Sequence, residues 1–124
     1  MKRILVSGYR NPPNPEIIRS TLERYHQMYG PCILIHGDCR GTDHVARDAA
    51  YRLGWFTWSF PADWTHLGRA AGPVRNQRML EDTRPQLALV FLHAKSRGTR
   101  DMLRRLNAWQ LTHVTLESVE VVGL

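Results

Sequence analysis

The chain has 124 residues, 43% of them hydrophobic, and a formal net charge of +6 at neutral pH. That length suits one domain, here 1–124, with one real core, and the composition excludes a disordered chain. No apolar run approaches the ~20 residues of a membrane helix, so no membrane partner is expected. All but Lys2 and Lys95 of the 17 basic residues are arginine, which favours planar, bidentate recognition of phosphate or carboxylate.

Residues 3–7 (Arg-Ile-Leu-Val-Ser) read as a first strand ending at Gly8-Tyr9-Arg10. The start of the chain enters that strand pattern directly, without the apolar region and cleavage site of a signal peptide, so a cytoplasmic location is expected. Asn14 and Pro15 read as the cap and first position of a helix carrying Ile17, Ile18, Leu22, Tyr25 and Met28, stopped by Gly30-Pro31. Cys32-Ile33-Leu34-Ile35 is short and apolar, a buried second strand. Cys32 and Cys39 form no C-x-x-C pair, and Cys32 reads as a core residue.

The turn His36-Gly37-Asp38-Cys39-Arg40-Gly41-Thr42-Asp43 then leads into a helix with Val45, Ala46, Ala49, Ala50 and Leu53 on one face. Its glycines allow close backbone approach, and the helix start offers unpaired N–H groups to an anion. Neither G-x-G-x-x-G nor G-x-x-x-x-G-K-[ST] is present. An ordinary β–α turn, capped by Thr42 or Gly41, fits the same residues.

Residues 55–60 alternate, with Phe56, Trp58 and Phe60 on one face of a third strand. A polar connection through Asp63, Trp64, Gly68 and Gly72 leads to Pro73, where a helix over 74–81 begins. Leu87–Leu92 is a near-continuous apolar run, as expected inside a parallel sheet. A second glycine loop, Ala94-Lys95-Ser96-Arg97-Gly98-Thr99, opens a helix with Met102, Leu103, Leu106 and Trp109 on one face. Residues 114–122 supply a last strand, or a short hairpin around Glu117-Ser118.

Strand and helix alternate throughout. This predicts an α/β fold: a Rossmann-like, doubly wound, mostly parallel sheet of about five strands with helices on both faces. In such sheets ligands bind at the carboxyl ends of the strands, where loops 7–10, 37–43, 63–76 and 95–101 converge. All four loops carry arginine.

With those loops in view, the sequence resembles a small SLOG-superfamily Rossmann-like protein of the YspA type, related to cpYpsA. The motifs are Ser7-Gly8-Tyr9-Arg10, His36-Gly37-x-x-x-Gly41-x-Asp43-x-x-Ala46, Phe60-Pro61-Ala62-Asp63-Trp64, Ala71-Gly72-Pro73-x-Arg75-Asn76-x-x-Met79 and Arg97-Gly98-Thr99-x-Asp101-Met102. The resemblance implies a nucleotide-type ligand. The superfamily includes the Lonely Guy nucleoside monophosphate phosphoribohydrolases. By resemblance, Arg75 falls on their catalytic arginine, Asn76 on the adjacent lysine, and Gly98-Thr99 on a phosphate-contacting G-T. Their catalytic glutamate falls on Met102, and Ala94-Lys95-Ser96 replaces their P-G-G. Asp101 precedes Met102, but a one-residue step turns a helical side chain by roughly 100°.

The expected ligand-binding residues are therefore Gly8, Tyr9, Arg10, Gly37, Asp38, Arg40, Gly41, Thr42, Asp43, Asp63, Trp64, Arg75, Asn76, Gly98 and Thr99. If there is catalysis, Arg75 and Asp101 are its candidates. Asp43 suits either a ribose hydroxyl or a structural brace, and Trp64 either a stacking surface or a packing role. Thr99 suits both a helix cap and a phosphate contact. Arg97 and Arg100 flank Gly98-Thr99, while Arg104 and Arg105 read as an exposed helix face. His36, Asp38, Cys39 and His44 match no metal-ligand spacing, so neither metal nor cofactor is expected. A nucleotide sensor or binding role is the first reading. A nucleotide hydrolase cleaving an N-glycosidic or phosphoester bond is the second, and nucleic-acid binding driven by the basic charge is the third. A homo-oligomer is compatible with each.

Overall fold

Apolar runs alternate with helical periodicities along the chain, and the elements follow that order. The computed structural model describes residues 1–124. It places β1 (Arg3–Gly8), α1 (Pro15–Tyr29), β2 (Ile33–His36), α2 (Thr42–Arg52) and β3 (Phe56–Ser59) first. A short α3 (Trp64–Leu67), a 3-10 turn (Gly68–Ala70), α4 (Ala71–Thr83), β4 (Leu87–Leu92), α5 (Arg97–Thr112) and β5 (Ser118–Gly123) complete it. The strands lie in the order β3-β2-β1-β4-β5. Every neighbouring pair is parallel, so the doubly wound α/β sheet is parallel throughout rather than mostly so.

The period-2 alternation of β1, β2 and β4 divides their side chains between two cores. Ile4, Val6, Leu34, Leu87, Leu89 and Phe91 pack with Ile18 and Leu22 of α1 and Ala46 and Ala50 of α2. Leu5, Ile35, Ala88 and Val90 pack with Met79 and Leu80 of α4 and Met102, Leu106 and Trp109 of α5. Burying each such large side chain stabilises the fold by about 1.5–3 kcal/mol. Helices therefore cover both faces, α1 and α2 on one and α4 and α5 on the other. No helix is long and apolar enough to cross a membrane.

Local signals explain several boundaries. Pro15 opens α1, and the Asn14 side chain accepts from the Glu16 N–H at 3.2 Å, the arrangement that offsets a missing helical bond. Gly54, with φ +75°, lets the chain turn out of α2.

Three expectations need correction. The polar connection contains α3 and the 3-10 turn, and α4 begins at Ala71 rather than at Pro73. Pro73 sits in the first turn of α4, where no N–H is required for an intrahelical bond. The chain after α5 forms no hairpin; Ser118–Gly123 is one strand pairing with β4 alone. Phe56, Trp58 and Phe60 alternate as expected, but β3 is an edge strand, and Phe56 and Trp58 are 66% and 43% exposed. Only Phe60 reaches the core, while Trp55 is buried and donates its indole N–H to His26 Nδ1 at 2.9 Å.

Candidate functional site

The sheet order makes β1 and β4 neighbours, although the chain leaves them in opposite directions, α1 leading to β2 and α5 to β5. A crevice must open where the two connections diverge, at the carboxyl ends of these strands. A cavity of about 520 Å³ lies there, within the range of small-molecule sites. Its walls are the end of β1, the β2–α2 turn, the starts of α4 and α5, and Trp64 and Arg69 from the connection before α4.

The β1 wall is Ser7, Gly8, Tyr9 and Arg10. The Tyr9 ring stacks on His93 at the end of β4, with centroids 4.2 Å apart and planes 4° apart. Gly8 is small for a steric reason: a Cβ there would come within 2.7 Å of Thr42 Cβ. Thr42 donates its hydroxyl to the Tyr9 carbonyl at 2.7 Å, which locks α2 onto the end of β1. Thr42 is thus buried behind the wall rather than lining the cavity.

The β2–α2 turn is organised by Asp43. One oxygen, Oδ2, accepts from the Gly37 and Cys39 N–H groups at 3.1 and 3.2 Å. The other, Oδ1, is buried without a partner, although the residue lines the cavity and is only 5% exposed. Burial pushes the Asp43 carboxyl up to about 6, against the opposing pull of those N–H groups and of Arg75. Asp38 and Arg40 do not line the cavity. Asp38 turns to His44 at 3.0 Å, and Arg40 is exposed. Gly41, the N-cap of α2, also lies outside it, backed against the Arg10 carbonyl.

From α4, the Arg75 guanidinium lies over Gly37, where a Cβ would come 2.8 Å from Cζ. Its Nη1 donates to the Gly37 carbonyl at 2.6 Å, and its Nε donates to Asn76 Oδ1 at 3.0 Å. Arg75 therefore ties α4 to the β2–α2 turn while bordering the cavity. Asn76 extends the tie, donating to the Gly98 carbonyl at 3.3 Å and to Asp101 at 3.0 Å.

The α5 wall includes Lys95, Ser96, Arg97, Gly98 and Thr99. The N-cap is Ser96 rather than Thr99, and the first turn has no side-chain cap. The Ser96 hydroxyl accepts instead from the His93 N–H at 3.2 Å. The first-turn amides are left open on the side of the cavity, a favourable place for an anion. Asp101 accepts from Arg105 at 2.8 Å as well as from Asn76, and Arg104 lies 3.4 Å away. Burial alone would push its carboxyl up, but the hydrogen bonds from Arg105 and Asn76 outweigh it and hold Asp101 below the usual range. A carboxylate so engaged is a brace for α5, and a poor proton acceptor.

Asp63 lies outside the cavity, where it caps α3 through the His66 N–H at 3.2 Å and pairs with the His66 ring at 2.9 Å. Trp64 is 49% exposed at the cavity edge, packed towards Gly72. The structure thus brings together Gly8, Tyr9, Arg10, Gly37, Asp43, Trp64, Arg75, Asn76, Gly98, Thr99 and Asp101. It also brings in Arg97, which flanks the Gly98-Thr99 motif, and Cys39, Arg69, Lys95 and Arg104, which the motifs do not single out as site residues. Both cysteines are free, and no group of three or more His, Cys, Asp or Glu side chains is placed to hold a metal ion.

Met102, at the position of the hydrolases' glutamate, is fully buried in the core between α5 and the sheet. Met102→Glu is expected to destabilise the fold by at least about 3 kcal/mol, because the new carboxylate has no partner there. A urea midpoint that stays at the wild-type value would overturn this placement.

A parallel sheet with helices on both faces and a cation-lined crevice at its switch point defines a Rossmann-like α/β domain. The chain belongs to the YspA, cpYpsA-related SLOG family, whose model (YAcAr) matches residues 2–66. The matched segment runs from β1 to the start of α3 and contains the β2–α2 turn; α4 and α5 lie beyond it. Membership points to nucleotide-related ligand binding or processing. Searches of curated proteins and of solved structures returned no match.

Proposed function

We propose that the crevice binds a nucleotide or a nucleotide-derived molecule, and that the protein is a sensor or binding module. The observation that carries this reading is one cavity bordered by the uncapped start of α5 and by Arg10, Arg69, Lys95 and Arg97. Phosphate rests on the first turn of α5 and on these cations, and the base lies towards Trp64. Family membership supports the ligand class. The replacement of the hydrolases' glutamate by a core methionine favours binding over turnover.

The binding test is calorimetry and thermal unfolding with a panel of ribonucleotides. A true ligand at a hundredfold excess over its Kd stabilises the fold by about 2.7 kcal/mol, a shift of roughly 8 °C for a domain of this size. Arg97→Ala is expected to weaken binding about tenfold, the value of one charge-assisted hydrogen bond. If no nucleotide at millimolar concentration shifts the melting temperature, the reading fails.

One observation supports a second reading, hydrolysis. Asp43 is a carboxyl at the cavity wall with one buried, unpartnered oxygen, and burial pushes its titration up to about 6, the profile of a general acid or base. It suits that role better than Asp101. Release of free base or phosphate from the panel, abolished in Asp43→Asn, would establish turnover.

A further inference from the structure

Six cationic side chains border the cavity: Arg10, Arg69, Arg75, Lys95, Arg97 and Arg104. Arg75 is held by the Gly37 carbonyl and Asn76, and Arg104 by Asp101. The other four make no side-chain hydrogen bond or ion pair with the protein. They come from the end of β1, the 3-10 turn, the loop after β4 and the start of α5, so the scaffold sets their convergence.

Outside the cavity four arginines meet carboxylates: Arg19 meets Glu16, Arg24 meets Glu120, Arg47 meets Asp48 and Arg78 meets Asp82. Arg40, Arg52 and Arg84 stand apart from one another on the surface and converge on no common space. The cavity offers only two carboxylates. Asp101 is taken up by Asn76, Arg104 and Arg105, and Asp43 lies beneath the Gly37 and Cys39 amides. Crowding like charges without counter-charges is unfavourable, and more so beside low-dielectric walls. One terminal phosphate carries about −1.5 to −2 charges at neutral pH, too few for four unpaired cations together with an open helix start. The volume of about 520 Å³ admits a mononucleotide with a phosphate chain.

We infer that the crevice is built for a polyphosphate chain, so that its ligand is a nucleoside di- or triphosphate, or a molecule joined through a diphosphate, rather than a monophosphate. The inference rests on the nucleotide reading for the base, and on the cation cluster with the uncapped start of α5 for the phosphates. Lys95 and Arg97 hold the phosphate nearest α5, and Arg10 and Arg69 take the remaining charge across the cavity.

The test is calorimetry on the full chain at fixed ionic strength, using the mono-, di- and triphosphates of one ribonucleoside, with pyrophosphate and orthophosphate beside them. The diphosphate is expected to bind at least about tenfold more tightly than the monophosphate, and pyrophosphate more tightly than orthophosphate. Raising salt should weaken the diphosphate more steeply than the monophosphate. Lys95→Ala and Arg69→Ala remove exposed side chains, and each should cost the diphosphate more affinity than the monophosphate. Equal affinity for mono- and diphosphate overturns the inference and leaves the nucleotide reading intact. Pyrophosphate binding without any nucleotide binding keeps the polyphosphate site and overturns the nucleotide reading. Binding of neither overturns both.

Discussion

Gly41→Ala is expected to destabilise the fold by more than about 3 kcal/mol, a large part of the 5–15 kcal/mol typical of a domain. Two independent effects combine at this position. Gly41 has φ +82° and ψ −122°, a conformation that side chains disfavour. Its Cβ would also meet the Arg10 carbonyl and come 2.8 Å from Arg10 Cα, and backbone cannot swing aside as a flexible side chain can. Relief requires parting α2 from the end of β1. That breaks the Thr42 N–H and hydroxyl bonds to the Tyr9 carbonyl, at 3.2 and 2.7 Å. Gly54→Ala is the control, because Gly54 has φ +75° but nothing within 4 Å of its would-be Cβ. It should cost about 1 kcal/mol, from the backbone alone. Urea unfolding followed by circular dichroism measures both, and equal midpoints for the two variants would remove the steric argument.

The same glycine shows what was legible in the sequence and what was not. A glycine-rich turn between an apolar strand and an amphipathic helix marks the β2–α2 junction, and the alternation of such units carries the doubly wound fold. The turn does not reveal which of its members face the cavity. Gly37 and Asp43 line the cavity, whereas Gly41 and Thr42 fasten the turn to β1 from behind. Structural and cavity-lining positions use the same residue types here, because close approach and helix starts serve both. Arg69 and Lys95 fall in loops expected at the ligand edge, yet neither they nor Arg104 could be singled out, for another reason. Surface cations have no periodicity, and these three meet only because the strand order brings the connection before α4 and the start of α5 to one crevice at the carboxyl ends of β1 and β4. The outward aromatics of β3 follow similarly from its position at the sheet edge, which depends on strand order rather than on local pattern.

Asp43→Asn and His36→Asn are expected to change the pH dependence of stability in opposite directions, each by up to about 3 kcal/mol between pH 4 and 6.5. His36 is fully buried at the end of β2; its Nδ1 accepts from the Asp38 N–H at 3.0 Å, and its Nε2 has no partner. Burial pushes it from 6.5 down to about 4. Above pH 6.5 it is neutral in both folded and unfolded chains. As pH falls towards 4 the unfolded chain takes up the proton first, and stability is lost. Asp43 behaves oppositely, because burial moves it from 3.8 up to about 6. As pH falls from 6 towards 4 the folded chain takes up a proton that the unfolded chain does not, and stability is gained. In the wild-type chain the two contributions largely cancel within this window. The depressed Asp101 acts mainly below it, where the unfolded carboxyls titrate. Asp43→Asn keeps an oxygen for the Gly37 and Cys39 amides but removes the titration, so this variant should lose stability on acidification by about 1.4 kcal/mol per pH unit relative to wild type. His36→Asn keeps an acceptor for Asp38 and should gain stability over the same range. Urea midpoints at half-unit pH steps give both slopes, and the sign of each difference curve is independent of any constant packing cost. Difference curves that stay parallel to the axis would mean that neither group is held away from its ordinary protonation by burial. A flat curve for Asp43→Asn alone would place solvent or an ion at Oδ1, and with it remove the carboxyl on which the hydrolytic reading depends.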